Sequence, residues 1–194
     1  MNIICFDTEW RYNHHRKKEQ FNLKCEHGLE VIKAYHDDFD FIYEKFLTRA
    51  DLLHYMEQFN GNRMKSRYQV IYISCHGEES SICFEGERKK EQKSISLDEL
   101  VYLYKGFFED RFVHFSSCST MKDIDAAKRF KRKAHAKCVS GYQTDVDAMD
   151  SLILDMAYFN ALQEYKTIGT LKRSNSLFQQ HYASLIDYLG FVIV

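Results

Sequence analysis

Short runs of consecutive apolar residues alternate along this chain with longer stretches in which apolar positions recur every three or four residues. The first kind predicts buried strands, at 2–6 (NIICF), 39–46 (FDFIYEKF), 68–74, 112–116, 138–141 and 190–194. The second predicts amphipathic helices over 48–59, 122–137, 146–165 and 176–189. A further helix of two to three turns is expected to open at Ser96, where Glu99 completes a capping-box pattern. Residues 28–36 fit either a short strand or a turn of helix, 11–20 a polar loop, and 81–84 with Gly86 a short hairpin. Gly61 and Asn62 are expected to end the helix over 48–59. Strands alternating with helices predict an α/β fold, a mostly parallel central sheet flanked by helices on both faces. No repeat, low-complexity tract or linker interrupts the pattern, so the 194 residues read as a single domain, 1–194.

Two of these strands end alike. Residues 68–77 (YQVIYISCHG) close on His76 and Gly77, and residues 111–119 (RFVHFSSCS) run into Cys118. Only a hairpin and one helix intervene, so the strands are expected to be parallel neighbours that bring His76 and Cys118 to one sheet edge. In open α/β sheets the ligand crevice lies beyond the carboxyl ends of the strands. A thiol beside an imidazole there is the minimal equipment for nucleophilic catalysis. Singly, each residue has a plainer reading: His76 as a turn residue before a glycine of positive backbone angle, Cys118 as a small buried hydrophobe. Their equivalent positions on successive core strands favour the chemical reading.

Charge and cysteine usage narrow the classes. A net charge of −1 argues against a dedicated polyanion binder, and nucleic acid is not an expected partner. The basic run 128–137 (KRFKRKAHAK) has no aromatic interleaving and reads as a solvated helix face. No apolar run approaches the about 20 residues that cross a bilayer, and the apolar start is cut short by Asp7 and Glu9, so a cytoplasmic protein without a membrane partner is expected. Six cysteines with no CxxC pair point to reduced thiols and against a structural zinc site. Cys25, His27, His14 and His15 have irregular spacing and read as loop residues. Strand pleating turns Cys75 away from the His76 face, making it structural. His114, inside its strand, reads as a core or sheet-face histidine.

The segments IYISCHG (71–77) and FVHFSSC (112–118), with His76 and Cys118 42 residues apart, resemble the caspase-like cysteine peptidases, a superfamily that includes caspases, metacaspases, gingipains, separases and CHAT peptidases. SGY at 140–142, followed by VDAMDSLILDMAYFNAL, is similar to the strand and helix after the cysteine in CHAT peptidases, and the resemblance covers roughly 68–162. It implies Cys118 as nucleophile, His76 as general base, the amides of Gly77 and Cys118 as an oxyanion hole, and a polypeptide substrate cleaved through a thioester. The implied chemistry needs no cofactor and no metal, although an ion could regulate it, and no third orienting residue. It also implies restraint in the cell by processing, a signal or a regulatory partner and, by analogy with the CHAT group, a role in bacterial defence or regulated cell death. The chain departs from the caspase Gln-Ala-Cys pattern and from the acidic residue of metacaspases, having Ser116 and Ser117 before the cysteine. An aspartate-specific pocket is therefore not expected. Members that cleave after Lys or Arg use acidic pocket residues; here Asp145, Asp147 and Asp7 lie near strand ends, with Asp147 preferred. Aspartate is also a common helix cap.

Two rival readings compete. One is a catalytically silent caspase-like module that binds a partner, since a fold does not guarantee an activity. The other rests on FDTE at 6–9, which resembles the first motif of DnaQ-like exonucleases, with Asp7 and Glu9 holding Mg²⁺ for phosphodiester hydrolysis. Its C-terminal motif does not follow: His181 and Asp187 are six apart where that family uses five, and one residue on a helix rotates a ligand by about 100°. The exonuclease ranks below the peptidase.

Overall fold

The computed structural model describes residues 1–8, 12–13, 18–19, 25–165 and 167–194. Six strands make the central sheet: β1 (Asn2–Thr8), β2 (Phe41–Phe46), β3 (Tyr68–Ser74), β4 (Phe112–Ser116), β5 (Cys138–Tyr142) and β6 (Phe191–Ile193). Their spatial order is β2-β1-β3-β4-β5-β6. Every pairing is parallel except β5 with β6. The expected mostly parallel sheet, with helices on both faces, is thus the architecture of the protein.

Helices follow the strands: α1 (Cys25–Tyr35), α2 (Arg49–Gln58), α3 (Asn62–Arg67), α4 (Leu97–Phe108), α5 (Ile124–Ala134), α6 (Ala148–Glu164), α7 (Ile168–Leu171), α8 (Leu177–His181) and α9 (Ala183–Leu189). A three-stranded antiparallel sheet, Gly77–Glu78, Ser81–Cys83 and Ser94–Ser96, leads from β3 into α4. The alternation of strand side chains sorts the core into two layers. Ile4, Phe6, Ile71, Ile73, Val113, Phe115 and Val139 pack with α2, α4 and α5, whereas Ile3, Cys5, Val70, Tyr72 and Tyr142 pack with α1, α6 and α7–α9.

Several boundaries differ from the sequence reading for local reasons. The ambiguous segment 28–36 lies, up to Tyr35, in helix α1. Gly61 does not terminate helical structure but caps the start of α3. The helix that opens at Ser96 runs to Phe108, past Gly106, with a break at Tyr104. Only half of its capping box forms: Ser96 Oγ accepts from the Glu99 amide, while the Glu99 carboxylate is drawn to Arg49 at 2.5 Å. The complete box is at α2, between Thr48 and Asp51. The helix over 176–189 divides at Tyr182 into α8 and α9. Gly190 then takes φ +59°, the left-handed cap that lets the chain reverse into β6.

Polar groups inside the α6 layer are satisfied by one another. Asp155 of α6 is fully buried and accepts from Tyr72 Oη of β3 (2.8 Å), bonds His114 Nε2 of β4 (2.7 Å) and accepts from Tyr142 Oη of β5. His114 Nδ1 meets Ser140 Oγ at 2.9 Å. His114 is thus a core residue on the sheet face, as expected, and is held from both nitrogens. On the other face, buried Arg111 donates to Phe107 O and Phe59 O at the ends of α4 and α2 and stacks on the Phe107 ring. Among the described residues no carboxylate pairs with it. Carbonyls at helix C-termini supply the compensating negative potential.

The junction of β3 and β4 is equally tight. Ser74 pairs with Ser116, and one step on the Cys75 amide donates to Ser116 O at 3.1 Å. Gly77 then lies against the β4 loop: a β-carbon there would stand 2.4 Å from Thr120 Oγ1, 2.7 Å from Cys118 O and 2.8 Å from Ser117 Cβ. Its backbone angle is not positive, so glycine is required for space and not for conformation.

Two stability predictions follow from these contacts. Asp155→Leu strands three buried donors and is expected to cost about 3–5 kcal/mol in urea unfolding. Gly77→Ala is expected to cost about 1–3 kcal/mol, unrelieved by Thr120→Ala, which removes the Thr120 hydroxyl but leaves the main-chain Cys118 carbonyl in place. Loss of less than about 1 kcal/mol in either variant contradicts the corresponding packing argument.

Candidate active site

β3 and β4 are adjacent and parallel, so the loops carrying His76 and Cys118 leave the same edge of the sheet side by side. The Cys118 loop turns sharply, with Ser119 in the left-handed region at φ +55°. Such a conformation costs a residue with a β-carbon about 1–2 kcal/mol and persists where neighbours impose it. Here the neighbours are in the loop after β5. Ser119 N donates to Thr144 O and Met121 N to Tyr142 O, both at 2.9 Å, and Ser119 Oγ donates to Asp145 Oδ1 at 2.9 Å. The Val146 amide donates to Cys118 Sγ at 3.5 Å, and the thiol in turn faces Val146 O at 3.8 Å. Among the described residues the Cys118 amide has no acceptor.

Across from this loop His76 is about two-fifths exposed, with Nε2 3.6 Å from Glu85 Oε1. The two side chains meet because the chain doubles back after Gly77: Gly77 pairs with Ile82, and Cys83 N donates to His76 O at 2.8 Å. His76 also lines a cavity of about 450 Å³ with Gly77, Glu78, Glu85 and Glu87, and with Lys90 and Lys93. Cys118 is not among its lining residues. The loops are thus in contact, while the imidazole is turned to the hairpin and the thiol to Val146.

The other cysteines are placed differently. Burial pushes the thiols of Cys5 and Cys75 well up and that of Cys25 up, and raises Cys83 and Cys138 to about 11. At neutral pH these five are protonated and poor nucleophiles. Cys75 points into the α4 and α5 layer, as its pleat position predicts. Cys118 stands apart by location, half-buried at the mouth of the β3 and β4 edge.

The acidic candidates have separate situations. Asp145 is exposed and reaches the Cys118 loop through Ser119. Asp147 caps α6, accepting from the amides of Met149 at 2.8 Å and Asp150 at 3.3 Å. Asp7 is 1% exposed, accepting from Ser74 Oγ and Tyr43 Oη, both 2.9 Å, and from the Cys25 amide at 3.3 Å. Glu9, His14 and His15 lie outside the described residues. Among the described residues no three His, Cys, Asp or Glu side chains are grouped to hold a metal ion. His181 and Asp187 sit on two different helices, α8 and α9.

Two contributors carried no direct sequence signal. Glu85 faces His76 only because a two-residue turn folds residues 81–85 back on 76–78; the hairpin pattern was the available clue. Val146 acts through its main chain, which has no residue-type signature.

Among the described residues no helix is long and apolar enough to cross a membrane. No curated protein matches the chain. Among solved structures, a crystal structure of caspase-1 from Spodoptera frugiperda aligns with a TM-score of 0.53 at 12% identity, covering 96% of this chain and 73% of that one. The similarity lies in the fold, and the protein has a caspase-like α/β architecture. A family model matches residues 1–194 in full, and the chain belongs to that family, described as a family of unknown function (DUF6642).

Proposed function

We propose that this protein is a single-domain cysteine endopeptidase working through a His76 and Cys118 dyad. The observation that carries the reading is the abutment of the two strand-end loops, tight enough that a β-carbon at position 77 would collide with the Cys118 carbonyl. A caspase-like fold agrees with a polypeptide substrate.

In this mechanism the imidazole of His76 takes the thiol proton as Cys118 Sγ attacks the scissile carbonyl carbon. The carbonyl oxygen becomes an oxyanion and accepts hydrogen bonds from the amides of Gly77 and Cys118. The Cys118 amide has no competing acceptor among the described residues, as an oxyanion donor requires. Collapse of the tetrahedral species breaks the C–N bond, the imidazolium protonates the departing amine, and a thioester remains on Cys118. A water deprotonated by His76 then attacks the thioester, releasing the carboxylic acid and restoring the thiol. Glu85 Oε1, 3.6 Å from Nε2, would stabilise the imidazolium that forms when His76 takes the thiol proton. Asp145, exposed and tied to the residue after Cys118, is the acid best located to receive a basic side chain of the substrate.

The hydrogen bonds between Cys118 Sγ and Val146 favour a second reading, a latent or silent binding module. Labelling by acyloxymethyl ketone probes bearing Arg, Lys, Asp or Leu separates the two. The peptidase reading expects a single adduct on Cys118, abolished in Cys118→Ala and slowed about 100-fold or more in His76→Ala, with Arg or Lys probes fastest. Asp145→Asn should then reduce the advantage of the basic probes. Adducts that survive Cys118→Ala, or that form equally fast in His76→Ala, rule out the dyad; no adduct with any probe supports the silent module.

A further inference from the structure

At the opposite edge of the sheet a second cavity opens between layers. It has a volume of about 710 Å³ and is lined by Lys128, Lys131 and Arg132 from α5, Lys172 at the end of α7, and the segments around Asp110, His135 and Val194. That volume falls in the range of small-molecule sites, about 300–1,000 Å³. The cations arrive from both faces of the sheet, since α5 packs in one layer and α7 in the other.

Their state of pairing separates these cations from the rest of the basic run. Lys133 is tied to Asp98 at 2.8 Å, and Arg129 lies between Asp98 at 4.0 Å and Asp123 at 3.9 Å. Lys128 pairs with Asp125 at 3.7 Å. Among the described residues Lys131 and Arg132 pair with no carboxylate. Lys172 Nζ donates to Ile193 O at 2.8 Å, and among the described residues it pairs with no carboxylate. Burial raises the Cys138 thiol, and Lys131 and Lys172 both act to lower it, so the two ammonium groups influence the same buried residue.

We propose that this cleft binds a small phosphate-bearing molecule of nucleotide size. Lys131, Arg132 and Lys172 supply the anion contacts, Arg132 with a fork suited to phosphate oxygens. Asp110, among the described residues the one carboxylate side chain lining the cleft, is placed to accept from a ligand hydroxyl, and Ala136 and Ile193 offer an apolar wall. A nucleic-acid strand fits less well, because the neighbouring Arg129 and Lys133 are paired with Asp98 and Asp123. The site is separate from the candidate dyad: β4 runs from the cleft at Phe112 toward Cys118, and α5 spans the same distance in return.

Calorimetric titration of the full chain with tripolyphosphate and with ATP at 0.15 M salt tests this. Saturable one-to-one binding is expected; tighter binding of ATP identifies an organic phosphate, and equal binding a bare oligophosphate. Lys131→Gln with Lys172→Gln should weaken binding at least tenfold. Lys131→Gln with Arg132→Gln should do the same without touching the Ile193 hydrogen bond. Arg129→Gln with Lys133→Gln, on the same helix but paired, should change it less than threefold. No binding of either probe, equal losses in all three double variants, or tighter binding of a 20-nucleotide single strand than of ATP overturns the proposal.

Discussion

The Asp155 carboxylate is the point on which the sheet is assembled. It lies on α6, yet its partners come from β3, β4 and β5 through Tyr72, His114 and Tyr142. A buried carboxylate is tolerated only when donors replace its water, and three aromatic donors from successive strands do so here. The arrangement also fixes register, because sliding any one strand by a residue would turn its donor to the other face. The chain of polar contacts continues outward, from Tyr72 through Cys25 and Ser74 to Asp7 and Tyr43, so that five strands share one buried network.

The strands held this way are the ones that carry the candidate dyad. With β3 and β4 in fixed register, the loops after Ser74 and Ser116 must leave side by side, and Gly77 is the residue that lets them close up. The loop after β5 completes the enclosure by holding Ser119, Met121 and the Cys118 sulfur. Asp7 takes part on the buried side, with its oxygens filled by Ser74, Tyr43 and the Cys25 amide, which is a structural occupation for a residue that sequence pattern alone had offered as a pocket acid or a metal ligand.

The two ends of the sheet also differ in electrostatic character. At the dyad end the imidazole faces a glutamate, and polar main-chain groups surround the thiol. The other end brings together, from two layers, Lys131, Arg132 and Lys172, which among the described residues pair with no carboxylate. Net charge close to zero conceals this separation: Asp98 and Asp123 sit beside Arg129 and Lys133, and Asp125 beside Lys128, whereas among the described residues Lys131, Arg132 and Lys172 have no carboxylate within ion-pair distance. Where charges sit relative to one another governs binding more than their sum does.

Runs of consecutive apolar residues and apolar repeats of period 3.6 are local properties, and they determined the alternation of strands and helices, the parallel sheet and the two strand ends with His76 and Cys118. The same locality explains the misjudged boundaries. Whether 28–36 was strand or helix, whether Gly61 ended a helix or began one, and where 176–189 broke depended on packing partners far away in sequence. Glu85 beside His76, Val146 on the sulfur, and the pairing of Lys131 with Lys172 across two layers are likewise products of topology. Residue type announces what a side chain can do; only the folded chain decides which groups face it, since hydrogen bonds and ion pairs act over a few ångströms and not along the sequence.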